Sequence, residues 1–85
     1  MDCENLPVQV IVHCDAGGGL RPLRFRYEDA HHQLHTVYID QITDSRKVAY
    51  VGIDTMAYLC KGGEHLYELR FTVQTHKWVL FRKIY

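Results

Sequence analysis

The sequence predicts an all-β domain: a small five- or six-stranded antiparallel barrel or strongly curled sheet, SH3-like or OB-like in size. Three observations predict it. Apolar residues come in short runs, many alternating with polar ones at the period of a strand. Turn signals separate the runs, notably Asp15-Ala16-Gly17-Gly18-Gly19 and Lys61-Gly62-Gly63-Glu64. No segment of ten or more residues sustains a 3.6-residue period. Without a helix to cover its apolar face, such a sheet must curl on itself or pair with another copy.

The elements follow in order. Val8 to Cys14 is rich in β-branched residues and reads as the first strand. The triple glycine then permits a tight reversal. Leu20 to Glu28 is the second strand, with Leu23, Phe25 and Tyr27 on one face and Arg24 and Arg26 on the other. Pro22 cannot donate to a ladder, so its end of the strand is an edge or a bulge. Asp29 to His32 is a polar turn. Gln33 to Ile42 is the third strand, and its apolar groups on both faces suggest a central position. Thr43-Asp44-Ser45-Arg46 reads as the next turn. Val48 to Ile53 and Met56 to Cys60 follow, separated near Gly52 to Thr55 by a bulge or by a turn. His65 to Thr75 is a long strand with Tyr67, Leu69, Phe71 and Val73 on one face. After Thr75-His76-Lys77, the strand Trp78 to Tyr85 sets Trp78, Leu80 and Ile84 against Val79, Phe81 and Tyr85.

Length makes residues 1–85 a single domain, with residues 1–6 as a loose N-terminal arm. Its 47% hydrophobic content, with many aromatic and β-branched residues, argues against disorder. The longest apolar runs, such as Val10 to Val12, fall far short of the ~20 residues of a membrane span. The acidic start Met1-Asp2-Cys3-Glu4-Asn5 does not read as a secretory leader. Three widely spaced cysteines, Cys3, Cys14 and Cys60, read as reduced thiols. Cys14 and Cys60, in apolar surroundings, read as small core residues. The expected compartment is the cytoplasm. Formal charge is zero overall, but residues 1–60 carry −3 and residues 61–85 carry +3. A basic face on a neutral body is therefore possible.

Three stretches carry a family resemblance: Arg21-Pro22-Leu23-Arg24-Phe25-Arg26-Tyr27-Glu28, Leu66-Tyr67-Glu68-Leu69-Arg70-Phe71 and Lys77-Trp78-Val79-Leu80-Phe81. Together they resemble small uncharacterised all-β proteins of Firmicutes-type bacteria, a domain of unknown function. There an Arg-Pro strand opens the chain, and a Tyr-Glu-Leu strand pairs with a final Lys-Trp strand. The resemblance spans most of residues 8–82 and implies a bacterial all-β fold. It implies no activity and carries over no site residues.

Several constellations carry possible chemistry. His31, His32 and His35 could ligate a metal, but on a strand His31 and His35 lie about 13 Å apart, so a solvated turn is the stronger reading. His13 and Cys14 are adjacent and point to opposite faces, which argues against a base-activated thiol. Gly17-Gly18-Gly19 precedes a strand and lacks the Lys-Ser/Thr of a phosphate loop. No catalytic residue, metal or cofactor is expected, and the chain is read as a non-enzymatic binding module. The first expectation is protein interaction or homo-oligomerisation as a homodimer, through Tyr38, Trp78 and Tyr85. The alternative is a nucleic-acid-binding β-barrel using Arg24, Arg26, Arg70, Lys77 and Arg82 beside aromatic rings.

Overall fold

A computed structural model describes residues 3–85. Eight strands form two antiparallel sheets. They are β1 (Cys3–Pro7), β2 (Gln9–Cys14), β3 (Leu20–Glu28), β4 (Leu34–Tyr38), β5 (Gln41–Tyr50), β6 (Ile53–Gly62), β7 (His65–Thr72) and β8 (Lys77–Lys83). The larger sheet has the order β1-β8-β7-β6-β5 and the smaller β2-β3-β4. The all-β expectation holds, but the single sheet does not. Among the described residues the pairings form two sheets and no closed barrel.

The chain changes sheet at two corners. At the first, Val8 lies between β1 and β2 and its N–H donates to Trp78 of the larger sheet at 3.3 Å. At the second, Ile39 N–H donates to Leu23 of β3 at 2.9 Å, and the next residue, Asp40, donates to Lys61 of β6 at 2.8 Å. One peptide unit thus hands the strand from the small sheet to the large one. That handover explains the apolar groups on both faces of residues 33–42. They belong to two strands split at the corner, and not to one central strand. Gly62 marks how tightly the sheets meet there. A Cβ on it would stand 2.7 Å from Val37 Cγ1 and 2.9 Å from the Tyr38 carbonyl oxygen.

Other expectations need correction. Residues 3–6 are no loose arm: β1 pairs with β8, with Leu6 opposite Leu80. Residues 1 and 2 lie outside the described residues. Thr43 to Arg46 is strand, not turn. Between Ile42 and Asp44 the register against β6 shifts by one residue, and this bulge absorbs the polar segment into β5. The break near Gly52 is a two-residue turn, Val51-Gly52, with φ of 52° and 78°. Positive φ at both positions matches the twist that a tight hairpin needs. β7 stops at Thr72, and Val73 to His76 make the last turn.

The core lies between the sheets. Its buried cluster is Phe25, Tyr58, Cys60, Tyr67, Leu69 and Leu80, and only Phe25 comes from the smaller sheet. Phe25 is 1% exposed and meets Tyr67 edge-on at 5.2 Å between ring centres. Leu23, expected beside Phe25 on the inner face, is instead an extra residue between Arg24 and Pro22 where β3 slips against β2. Leu23 is exposed, and Pro22 is buried in its stead.

Candidate functional site

The outer face of the smaller sheet is the candidate site. Strand alternation builds it in two rows. Gln9, Arg26 and Thr36 stand opposite one another across β2, β3 and β4, and so do Ile11, Arg24 and Tyr38. The inner residues Val10, Phe25 and Val37 hold the sheet against the core, which turns these six outward. The rows line a shallow groove of about 300 Å³. Ile11 is 47% exposed and Tyr38 62% exposed.

The electrostatics of this face are one-sided. Arg24 and Arg26 stand two residues apart on one strand, so about 7 Å separates them along it. Arg24 places its guanidinium carbon 5.7 Å from the centre of the Tyr38 ring. Arg26 donates from Nη2 to Gln9 Oε1 at 2.6 Å. Neither guanidinium has a carboxylate within ion-pair distance among the described residues. Both therefore keep donors for an incoming anion.

The outer face of the larger sheet uses the same residue type differently. Glu68 is 5% exposed and accepts from Arg70 Nε at 2.7 Å and from Arg82 Nε at 2.9 Å. Arg70 also lies over the Phe81 ring at 3.6 Å. These two cations are committed to holding β7 and β8 together. The proposed nucleic-acid set is thus divided. Arg24 and Arg26 lie on one sheet, Arg70 and Arg82 on the other, and Lys77 opposes Thr72 at a hairpin end.

The three aromatic candidates are divided too. Tyr38 lies on the outer face described above. Trp78 is half-buried between Phe71 and Tyr58, with ring centres at 4.9 and 5.6 Å, and so packs on the core. Tyr85 follows β8 and is 60% exposed, while its carbonyl accepts from Leu66 N–H at 3.2 Å. Gln9, Ile11 and Thr36 were not singled out by sequence. Gln9 and Ile11 alternate with the buried-side Val10 and Val12, and that pattern could have marked them as outward partners of the arginines.

The remaining constellations resolve into local structure. Asp29 organises the histidine turn: Oδ1 accepts from the amides of His31 at 2.8 Å and Gln33 at 3.0 Å, and Oδ2 meets His35 Nε2 at 2.6 Å. The hydrogen bond to His35, then that from Gln33, holds the Asp29 carboxyl below its usual range. His35 stacks on Tyr27 at 5.1 Å, and His32 faces Glu28 at 3.6 Å. Among the described residues no three His, Cys, Asp or Glu side chains converge as a metal site. In the glycine turn, Asp15 Oδ1 accepts from Gly17 and Gly19, so those amides are already engaged. Cys14 is exposed, against expectation, because it sits at the last β2–β3 pair, where the sheet ends. Cys60 is buried, and that burial pushes its thiol up to about 12.

Among the described residues no helix is long and apolar enough to cross a membrane. No family model, curated protein or solved structure matches the chain.

Proposed function

We propose that this chain is a non-enzymatic protein-interaction module, and that the outer face of the β2-β3-β4 sheet receives a carboxylate-bearing segment of its partner. The observation that carries this reading is the pairing of two arginines, neither with a carboxylate partner among the described residues, with an exposed aliphatic side chain and an exposed ring. Arg and Tyr beside an apolar side chain is the composition of an interface centre. Arg24 and Arg26 would each take a carboxylate, while Ile11 and Tyr38 would pack on apolar side chains.

Single-stranded nucleic acid is the second reading. Arg24 beside the Tyr38 ring favours it, since cations can follow a backbone while a ring stacks on a base. The face offers one exposed ring beside an aliphatic residue, and stacking platforms use successive rings. The protein reading therefore comes first. On architecture, the two corners link the sheets into one circuit, which supports reading the fold as a split barrel of SH3 or OB size.

Fluorescence anisotropy with a labelled Asp/Leu-rich peptide and a labelled oligothymidylate, at low and high salt, tests both readings. The peptide is expected to bind, and to be lost when Arg24→Glu and Arg26→Glu are combined. Oligonucleotide binding that falls steeply with salt, without peptide binding, would replace the first reading by the second. Light scattering run alongside reports whether the partner is a second copy.

A further inference from the structure

The last strand contains a device that simple alternation hides. Counting by twos from Trp78 and Leu80 places Ile84 on the inner face and Lys83 on the outer. The register says otherwise. Leu69 pairs with Leu80, yet the adjacent Glu68 pairs with Arg82, so Phe81 is an extra residue on β8. Beyond this bulge the faces exchange. Lys83 stands opposite the buried Tyr67, and its neighbour Ile84 donates its N–H to Leu66 at 2.7 Å. Bulges commonly re-aim a side chain next to a site.

Lys83 lines an open cleft of about 440 Å³ between residues of the two sheets. Leu6, Tyr27, Ala30, Tyr67 and Leu80 give it an apolar lining, which Glu28, Asp29 and Lys83 complete. Its three charged lining residues are unevenly used. Asp29 is held by His35 and two amides, and Glu28 faces His32. Lys83 has no carboxylate within 4.0 Å among the described side chains. Burial, and then the neighbouring Tyr27, pushes the Tyr67 phenol above its ordinary value, so its hydroxyl stays protonated and can donate. Small-molecule sites have this form: an apolar concavity with a few polar groups, often at the mouth of a β fold. An enclosed cavity of ~150 Å³ holds one benzene, so this open cleft has room for a ligand of roughly ten heavy atoms with one side toward solvent.

We propose that this cavity binds a small apolar carboxylic acid, a medium-chain aliphatic or aryl acid. Its body lies against Leu6, Tyr67 and Leu80, and its carboxylate meets Lys83. This site is separate from the outer face of the smaller sheet and does not rest on that reading.

Calorimetric titration with decanoate, decanol and decylammonium tests it, with amide NMR shifts to place the ligand. Decanoate should bind and shift the amides of Tyr67, Leu80 and Lys83, while decylammonium should not bind. Lys83→Gln should weaken decanoate about ten-fold or more and leave decanol unchanged. Lys83→Arg should restore most of the affinity, and thermal melts of both variants confirm folding. No binding of decanoate to the wild-type chain would overturn the proposal. So would equal binding of decylammonium, or a Lys83→Gln variant that binds decanoate as tightly as wild type.

Discussion

The two sheets use the same kinds of residue for opposite ends. On the larger sheet, Arg70 and Arg82 close on one buried carboxylate, Glu68, and the Phe81 ring lies against Arg70. On the smaller sheet, Arg24 stands between Ile11 and Tyr38, and Arg26 between Gln9 and Thr36. Neither neighbour set includes an acid. An arginine on a strand is therefore structural or available according to what the register places beside it. The inner faces differ as well. The larger sheet supplies most of the buried cluster, while the smaller sheet is anchored to it through Phe25. The larger sheet is built for cohesion, and the smaller one presents a surface.

Removing the anchor tests this division most severely. Phe25→Ala should cost about 3–5 kcal/mol in denaturant unfolding, because it deletes a fully buried ring from between the sheets. Hydrogen exchange should then show β2–β4 amides opening before those of β6–β8. Simultaneous opening of both sheets would mean that they are one cooperative unit.

The next effect is at Glu68. Glu68→Gln should destabilise by roughly 1–3 kcal/mol, since two guanidinium groups lose their charged acceptor. It should also confer anion binding on the outer face of the larger sheet, making it resemble the smaller one. Anisotropy with the acidic peptide would register that gain. Unchanged anion affinity would show that a free arginine pair is not sufficient.

The thiols compare the edge of one sheet with the core of the other. In a Cys3→Ser background, Cys14 should react rapidly with a disulfide reagent, and Cys60 only as the chain unfolds. The thiol of Cys60 is raised from 9.0 to about 12 by burial, so the folded state favours its neutral form. The stability it contributes is complete below pH 9.0 and is lost as pH rises toward about 12. Cys60→Ala should therefore flatten the alkaline limb of the thermal stability profile.

The smallest effect on stability belongs to the proposed binding face. Arg24→Ala and Arg26→Ala should each change stability by no more than about 0.5 kcal/mol, because neither is paired with a carboxylate. The same changes should abolish peptide binding. A large stability loss would mean that these arginines hold the fold, and would erase the contrast between the sheets.

The amino-acid sequence specified the class, most of the strands, the hairpin at the triple glycine and the burial of Cys60. It did so because side-chain alternation and turn chemistry are local, and a residue's immediate neighbours are enough to read them. It also named Tyr38, Arg24 and Arg26, but it grouped them with Trp78, Arg70 and Arg82, which the fold sends elsewhere. Pro22 had already marked a bulge or edge where Leu23 slips out of register, whereas the sheet changes at Val8 and Ile39, the bulges at Thr43 and Phe81, and the closure of Glu68 on two arginines came from tertiary pairing. Each depends on which distant strand lies alongside. A one-residue slip against that strand turns every following side chain to the opposite face, and at β8 it carries Lys83 from the outer face to the lining of the cleft beside Tyr67.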